Sequence, residues 1–143
     1  MSALANNILT RPMLLVEDNP MHVDLTLQAF KKNDFTHPIV VCRDGEEALI
    51  YIEQHSCPTD PELPILVVLD LRLPKIDGVD VLKQARQNPV WKEIPFVVLT
   101  TSKQSSDAEA TYRLGANSYI SKPVGSITLV EMVKKILNYA QKS

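Results

Sequence analysis

The sequence lacks a membrane-length apolar run, a basic excess and a cysteine framework, and each absence excludes a class of protein. No run approaches the ~18 apolar residues that a membrane span needs. Only 2 cysteines occur, Cys42 and Cys57, without CxxC or histidines at metal-ligand spacing, which indicates reduced thiols rather than disulfides or a zinc site. The net charge of −2 argues against a nucleic-acid-binding domain, which usually carries a marked positive excess.

The N-terminal residues MSALANNILTRP contain no basic segment followed by an apolar one, so they do not resemble a signal peptide. A length of 143 residues, with 45% hydrophobic and 22% charged residues, is typical of one globular domain that needs no covalent staple. We therefore predict an N-terminal tail, 1–11, and a single domain, 12–143, with no output domain. These features together predict a cytoplasmic protein.

Short apolar runs predict five strands. They are Met13–Val16, Pro38–Cys42, Ile65–Leu69, Phe96–Leu99 and Ser118–Ile120. Runs such as ILVVL and FVVL are continuous rather than alternating in polarity. That pattern is typical of strands that are buried on both faces of a parallel sheet.

Segments with helical periodicity lie between and after these runs. They are Pro20–Lys32, Asp44–Gln54, Gly78–Gln87, Asp107–Leu114 and Ser126–Ala140, and Gly115 is expected to end the fourth. Because strand and helix alternate, the predicted fold class is α/β with right-handed crossover connections. The proline-rich stretch SCPTDPELP, 56–64, is predicted to be a surface loop before the third strand.

Polar residues with related chemistry follow the predicted strands. Glu17 and Asp18 follow the first strand, Asp70 the third, Thr100 the fourth and Lys122 the fifth. Ligands of an open parallel sheet bind at the carboxyl ends of the strands, so we expect these side chains to converge. Crowded carboxylates repel one another, and a hard divalent cation such as Mg²⁺ relieves that repulsion. A carboxylate beside such a cation can attack phosphorus and form an acyl phosphate, while a lysine offsets charge on the transferring oxygens.

Each of these residues also has an ordinary structural interpretation. Asp70 alone could be a helix cap or a turn former, and Glu17 with Asp18 could cap the helix that follows them. Thr100 could belong to a polar loop, and Lys122 could be a solvated side chain. Their joint placement at strand ends favours one shared site over these separate roles.

At these residues the sequence resembles a response-regulator receiver domain, and the resemblance covers nearly the whole chain. The motifs that carry it are, in order, LLVEDNP, LDLRLPKIDG, VLTTS and GANSYISKP. The resemblance implies a flavodoxin-like (βα)₅ fold with a five-stranded parallel sheet of order 2-1-3-4-5. The runs IPFVVLTTS and DGEEALIYI, with the lengthened loop before the third strand, resemble stand-alone receivers associated with phytochromes. They imply a phytochrome-type sensor kinase upstream.

The resemblance also implies a phosphoacceptor and a metal site. Asp70 is expected to accept a phosphoryl group from a histidine kinase or a histidine phosphotransfer protein. Mg²⁺, or Mn²⁺, is expected to be held by Glu17, Asp18, Asp70 and the backbone carbonyl of Arg72. No nucleic acid and no membrane is implied as a partner.

The switch residues are implied in the same way. Thr100 is expected to turn towards the phosphoryl oxygens, Tyr119 to swing inwards behind it, and Lys122 to pair with the phosphoryl group. The bond between Lys122 and Pro123 is a candidate cis peptide. Tyr119 could alternatively be an ordinary core aromatic. The surface formed by the fourth helix, the fifth strand and the fifth helix is the expected interface, including that of a possible two-fold homodimer.

Other functions of the same fold are less compatible with the sequence. A binding module that works without phosphorylation usually lacks an acid, the hydroxyl or the lysine, and none is missing here. A phosphatase with an aspartate nucleophile needs a second acid two residues later, where this chain has Arg72. An acidic site is poorly suited to a flavin phosphate. We therefore predict a phosphoacceptor signalling protein that relays its signal by protein contact or onward phosphotransfer, and not a turnover enzyme.

Arg72 and Ser102 lie two residues beyond Asp70 and Thr100, where side chains can cover the phosphoryl group. We predict that Arg72 alters the lifetime of the phosphoryl-aspartate, because a guanidinium can reach phosphoryl oxygens. A solvated arginine without such a role is the alternative.

Overall fold

The predicted strands form one parallel sheet. The computed structural model describes residues 11–71, 73–100, 109, 111–116, 118–121 and 134. Its strands are β1 (Met13–Val16), β2 (Ile39–Cys42), β3 (Leu66–Leu69), β4 (Phe96–Thr100) and β5 (Ser118–Ser121). The strand order is β2-β1-β3-β4-β5, and every neighbouring pair is parallel. The α/β class and the order 2-1-3-4-5 are therefore confirmed, and each strand end lies within one residue of its prediction.

Three predicted helices connect these strands. They are α1 (Pro20–Lys32), α2 (Gly45–Gln54) and α3 (Gly78–Gln87), with a short 3₁₀ helix at Trp91–Glu93 that the sequence did not predict. A side-chain oxygen of the residue before each α-helix accepts a hydrogen bond from a first-turn N–H, as an N-cap does. The prediction for α2 was one residue too long at its start, because Asp44 is this cap and not a helical residue.

Glycine ends the fourth predicted helix, as expected. Residues 109 and 111–113 are helical, and Gly115 has a φ of +103°, in the left-handed region that glycine adopts without strain. The N–H of Gly115 donates to the carbonyl of Tyr112, and that of Ala116 donates to the carbonyl of Thr111. These two bonds form a Schellman motif. The fifth predicted helix, Ser126–Ala140, lies outside the described residues except for residue 134, which is helical.

The continuous apolar strands are buried on both faces of the sheet. In β1, Leu14 and Val16 belong to one core cluster, and Met13 and Leu15 belong to the other. The first cluster includes apolar residues of α2 and α3, and the second includes those of α1. Successive side chains of a strand point to opposite faces, so a strand covered on both sides must be apolar throughout.

Hydrogen bonds of the Trp91 and Arg86 side chains hold the segment between α3 and β4 in place. Trp91 is fully buried, and its indole N–H donates to the carbonyl of His55 at 2.8 Å. The guanidinium of Arg86 lies 4.9 Å from the centre of the Phe96 ring. It donates to four main-chain carbonyls, those of Gly115 (3.0 Å), Trp91 (3.2 Å), Lys92 (3.2 Å) and Ile94 (2.9 Å).

The predicted loop 56–64 contains turns and neither helix nor strand. It is held against α2, because the hydroxyl of Tyr51 donates to the carbonyl of Glu62 at 2.5 Å. Within the described part of the chain, no helix combines the length and apolar character that crossing a membrane requires.

Candidate functional site

The central strands β1 and β3 end at the same edge of the sheet and position two acidic residues there. Val16 pairs with Leu69, so the next residues, Glu17 and Asp70, lie level with each other. The N–H of Asp70 donates to the carbonyl of Val16 at 3.0 Å, and the N–H of Glu17 donates to the carbonyl of Cys42 at 2.9 Å. Hydrogen bonds that continue the sheet therefore fix the backbone of both acids.

Glu17, Asp18 and Asp70 form one cluster of carboxylates. One carboxylate oxygen from each lies within 4.8 Å of the others. Glu17 is 3% exposed and Asp70 is 6% exposed, while Asp18 is more open to solvent. The structure thus brings together the three acids that the sequence predicted to converge at this edge.

The donor set of this cluster fits a hard divalent cation. Buried carboxylates without a cation are costly, because burial removes water from charges of the same sign. Three oxygen donors at mutual separations below 4.8 Å can share one ion and leave positions for water and a phosphate oxygen. Receiver-type chemistry with Mg²⁺ or Mn²⁺ is compatible with these residues.

Other residues cap the helices that follow these acids. The cap of α1 is Asn19, whose side-chain oxygen accepts from the N–H of Met21 at 2.9 Å. The cap of α3 is Asp77, which accepts from the N–H of Gly78. Neither Asp18 nor Asp70 is therefore the cap of the next helix.

Two neighbours of Glu17 were not predicted from the sequence. The N–H of Asn19 donates to one carboxylate oxygen of Glu17 at 3.3 Å. Nδ1 of His22 lies 3.8 Å from the other oxygen, from the first turn of α1. The sequence signal was the position of His22 near the start of the helix that follows the acidic pair. The distance between His22 and Glu17 depends on the direction of α1 relative to β1.

The segment after Asp70, described at residues 71 and 73–77, which we call the β3–α3 loop, packs tightly against two glycines. A Cβ placed on Gly78 would lie 2.3 Å from the carbonyl oxygen of Asp70. A Cβ placed on Gly45, the first residue of α2, would lie 1.9 Å from the carbonyl oxygen of Ile76. Both sites therefore exclude any side chain, and the loop is in direct contact with the N-termini of α3 and α2.

An ion pair joins the same loop to α2. Nζ of Lys75 lies 3.4 Å from Oδ2 of Asp44, and Oδ1 of Asp44 accepts the N–H of Glu47 at 2.8 Å. The bond from Glu47 lowers the pKa of Asp44; burial opposes this shift and the Lys75 ammonium adds to it. Asp44 was predicted only as the first residue of the second helix, and its contact with this loop was not predicted from the sequence.

The backbone of Cys42 is hydrogen-bonded to that of Glu17, but its side chain does not supply a thiolate near neutral pH. Burial, with the carboxylates of Glu47 and Asp44, raises the pKa of Cys42 to about 12. The thiol therefore stays protonated, and the groups that converge at the cluster among the described residues are carboxylates.

The predicted switch residues are described only in part. β4 continues to Thr100, whose backbone pairs with Ser121, and Tyr119 pairs with Val98. Since Leu69 also pairs with Val98, the backbone of Thr100 lies one residue beyond the level of Asp70, at the same edge. The side chains of Thr100 and Tyr119 lie outside the described residues.

Arg72, Ser102, Lys122 and Pro123 lie wholly outside the described residues. The metal-binding carbonyl of Arg72, the coverage by Arg72 and Ser102, the role of Lys122 and the cis peptide before Pro123 stay predictions.

Known proteins are similar to this chain in sequence and in fold. The response regulator receiver domain model matches residues 13–134. A probable methanogenesis regulatory protein of Methanothrix harundinacea, FilR2, is 42% identical over 127 residues, which cover 89% of this chain and 81% of FilR2. The response regulator Rcp1 of Synechocystis sp. is 38% identical over 127 residues, which cover 89% of this chain and 86% of Rcp1.

Solved structures agree with these sequence matches. The phosphorylated cyanobacterial phytochrome response regulator RcpA superimposes with a TM-score of 0.83 at 36% identity, covering 92% of this chain and 94% of RcpA. The Mn²⁺-bound form of Rcp1 superimposes with a TM-score of 0.77 at 38% identity, covering 87% of this chain and 90% of Rcp1. With the strand order and the acidic cluster already described, these matches show that the chain belongs to the response regulator receiver domain family.

Proposed function

We propose that this chain is a phosphorylated signalling switch in which Asp70 accepts a phosphoryl group with the help of Mg²⁺. The observation that carries the proposal is the convergence of Glu17, Asp18 and Asp70, with carboxylate oxygens within 4.8 Å of one another at the carboxyl edge of the sheet. Asp70 is the member of this cluster that follows the central strand β3 and directly precedes the β3–α3 loop. Its backbone is fixed by the hydrogen bond from its N–H to the carbonyl of Val16.

The proposed reaction transfers a phosphoryl group from a phosphohistidine of a kinase. A carboxylate oxygen of Asp70 attacks phosphorus, the phosphorus–nitrogen bond breaks, and its electron pair stays on the imidazole of the donor. The product is an acyl phosphate on Asp70. When bound to Glu17, Asp18, Asp70 and the carbonyl of Arg72, Mg²⁺ supplies charge compensation for the transferring oxygens. Hydrolysis of the acyl phosphate returns the carboxylate, so a slow autodephosphorylation is expected without turnover of a separate substrate.

The residues of this chain supply the response to phosphorylation. The new dianion rewards only conformations that bring donors towards it, so it selects a state that the protein already samples. In this proposal Lys122 pairs with the phosphoryl group, the hydroxyl of Thr100 donates to it, and Tyr119 moves inwards behind Thr100. The signal then leaves through a protein contact, a homodimer at the fourth helix, fifth strand and fifth helix, or onward phosphotransfer.

Incubation with acetyl phosphate and Mg²⁺ tests the proposal directly. Intact-protein mass spectrometry should show one added phosphoryl group that is stable in acid and labile in base. The adduct should disappear in Asp70→Asn and when a chelator removes Mg²⁺. Asp80→Asn is the matched control, because Asp80 is an exposed aspartate on α3, away from the carboxylate cluster. Labelling of Asp70→Asn at the parental level would show that another residue is the acceptor.

A phytochrome-type histidine kinase is the proposed partner. RcpA is a phytochrome response regulator, and this chain is 36% identical to it over 92% of its length. FilR2, by contrast, is described as a methanogenesis regulator and is 42% identical, so overall identity does not select a light-sensing partner. Phosphotransfer from an autophosphorylated phytochrome kinase to this chain within seconds, and much slower transfer from an unrelated kinase, would support the proposal. Equal rates from both kinases would contradict it. We also propose a cytoplasmic location for this chain, because its proposed partner, a histidine kinase, is phosphorylated by ATP.

A further inference from the structure

We propose that Asp44 and Lys75 form a latch that positions the phosphoacceptor, by tying the β3–α3 loop to the N-terminus of α2. The inference rests on the proposed function, since it assigns two positioning residues to the site of Asp70. Neither residue belongs to the acidic cluster, and neither is expected to touch the phosphoryl group.

Several contacts meet where the β3–α3 loop reaches the N-terminus of α2. Nζ of Lys75 lies 3.4 Å from Oδ2 of Asp44. The N–H of Gly45 donates to the carbonyl of Pro74 at 3.4 Å. The absence of a side chain on Gly45 is what lets the carbonyl of Ile76 come so close to α2. Three consecutive loop residues, 74–76, therefore contact Asp44 and Gly45, which are the cap and the first residue of α2.

Lys75 has an unusual backbone conformation. Its φ is +66°, in the left-handed region that residues with a Cβ rarely adopt. Such a conformation persists only where the surrounding structure holds it. The side chain of Lys75 is 59% exposed, and its ammonium pairs with the carboxylate of Asp44.

Gly78 connects the loop to the backbone of Asp70. The N–H of Gly78 donates to the carbonyl of Leu71 at 2.9 Å, which closes the loop at its two ends. The carbonyl of Asp70 packs directly against Gly78. Movement of the loop at Lys75 is therefore transmitted to the backbone of Asp70. A displacement of about 1 Å is enough to slow a group transfer about 100-fold.

The test measures the initial rate of phosphorylation by acetyl phosphate at saturating Mg²⁺. Asp44→Asn keeps an oxygen that can cap α2 and removes the charge, and Lys75→Gln removes the opposite charge. Each variant should reduce the rate at least threefold, and the double variant should be no slower than the slower single variant. Lys75→Arg should restore the rate to within twofold of the parent. Lys83→Gln, which removes an exposed lysine on α3, should leave the rate unchanged.

Two further readouts separate positioning from a general loss of structure. The thermal midpoint should stay nearly constant, because exposed ion pairs contribute little to stability. Amide hydrogen exchange at Gly45 and Ile76 should become at least threefold faster in Lys75→Gln and stay unchanged in Lys83→Gln. Multiplying effects in the double variant, or parental rates in both single variants, would overturn the latch. If the parent chain itself is not phosphorylated, the proposed function fails, and amide exchange still decides whether the latch exists.

Discussion

Replacing Arg86 by methionine should lower the free energy of unfolding by about 2–4 kcal/mol. The half-buried Arg86 side chain donates to four carbonyl groups, two in the 3₁₀ helix, one just before β4 and one just after the fourth helix. Methionine keeps an unbranched apolar stem over Phe96 and removes all donors together with the positive charge, so the variant reports the hydrogen bonds and the cation–π contact but not the packing of the stem.

The magnitude follows from the number of N–H groups. Nε donates one N–H, to Gly115, and Nη1 has two N–H groups for three carbonyls. Three donations at about 1.5–3 kcal/mol each would give more than 4 kcal/mol. The expected loss is smaller, because water can reach carbonyls around a half-buried side chain. The cation–π contact with Phe96 adds about 0.5–1 kcal/mol.

Urea unfolding followed by the fluorescence of Trp91, the single tryptophan, measures this change. A loss of about 3 kcal/mol corresponds to a midpoint lower by about 1–2 M, with an unchanged slope. Arg113→Met is the matched control, since Arg113 is 81% exposed and lies 3.9 Å from Glu109, which is 71% exposed. It should change stability by less than about 0.5 kcal/mol. A loss below about 1 kcal/mol in Arg86→Met, or equal losses in both variants, would refute the reasoning.

Other outcomes follow from the site and its surroundings. Gly78→Ala should reduce stability despite the better helix propensity of alanine, because its Cβ would lie 2.3 Å from the carbonyl oxygen of Asp70; urea unfolding and the acetyl phosphate assay should both show the loss. A thiol reagent should label exposed Cys57 in the native protein within the time that Cys42 stays protected, and rapid labelling of both would contradict the burial of Cys42. Since the pKa of Cys42 rises from 9.0 to about 12 on folding, its contribution to stability is complete below pH 9 and is lost as the pH rises towards 12; replacing Cys42 by alanine should flatten that alkaline decrease in urea unfolding. Arg72→Ala should change the rate of dephosphorylation after removal of the phosphodonor, and an unchanged rate would reject a role for Arg72 in the phosphoryl lifetime.

The parts of the fold that depend on local pattern were predictable from the sequence. Continuous runs such as Leu66–Leu69 could only be strands covered on both faces, and the α1 boundaries followed from Pro20 and the apolar periodicity. The 3₁₀ helix at Trp91–Glu93 was not predicted, because three residues carry no periodic signal. Its start is set by the side chain of Asn88, whose oxygen accepts from the N–H groups of Val90 and Trp91.

The site was predictable where it depended on strand ends and unpredictable where it depended on loop packing. Once the strands were placed, Glu17 and Asp70 had to meet, because β1 and β3 are parallel neighbours with a fixed register. The contact of Lys75 with Asp44 joins residues 31 positions apart, through a left-handed residue whose side chain gives no such preference. Contacts of that kind appear only when the loop conformation is known.

The burial of Trp91 has a practical consequence for how ligands of this protein can be observed. Trp91 precedes β4, whereas Asp70 lies level with Leu99 near the opposite end of that strand. From Phe96 to Leu99 the strand advances by about 10 Å. The indole and the carboxylates therefore lie near opposite ends of the strands. The intrinsic fluorescence of this protein therefore reports on the packing of its core, and we expect it not to respond to events at the acidic cluster. Titrations of metal or phosphodonor need a reporter introduced at the other end of the strands.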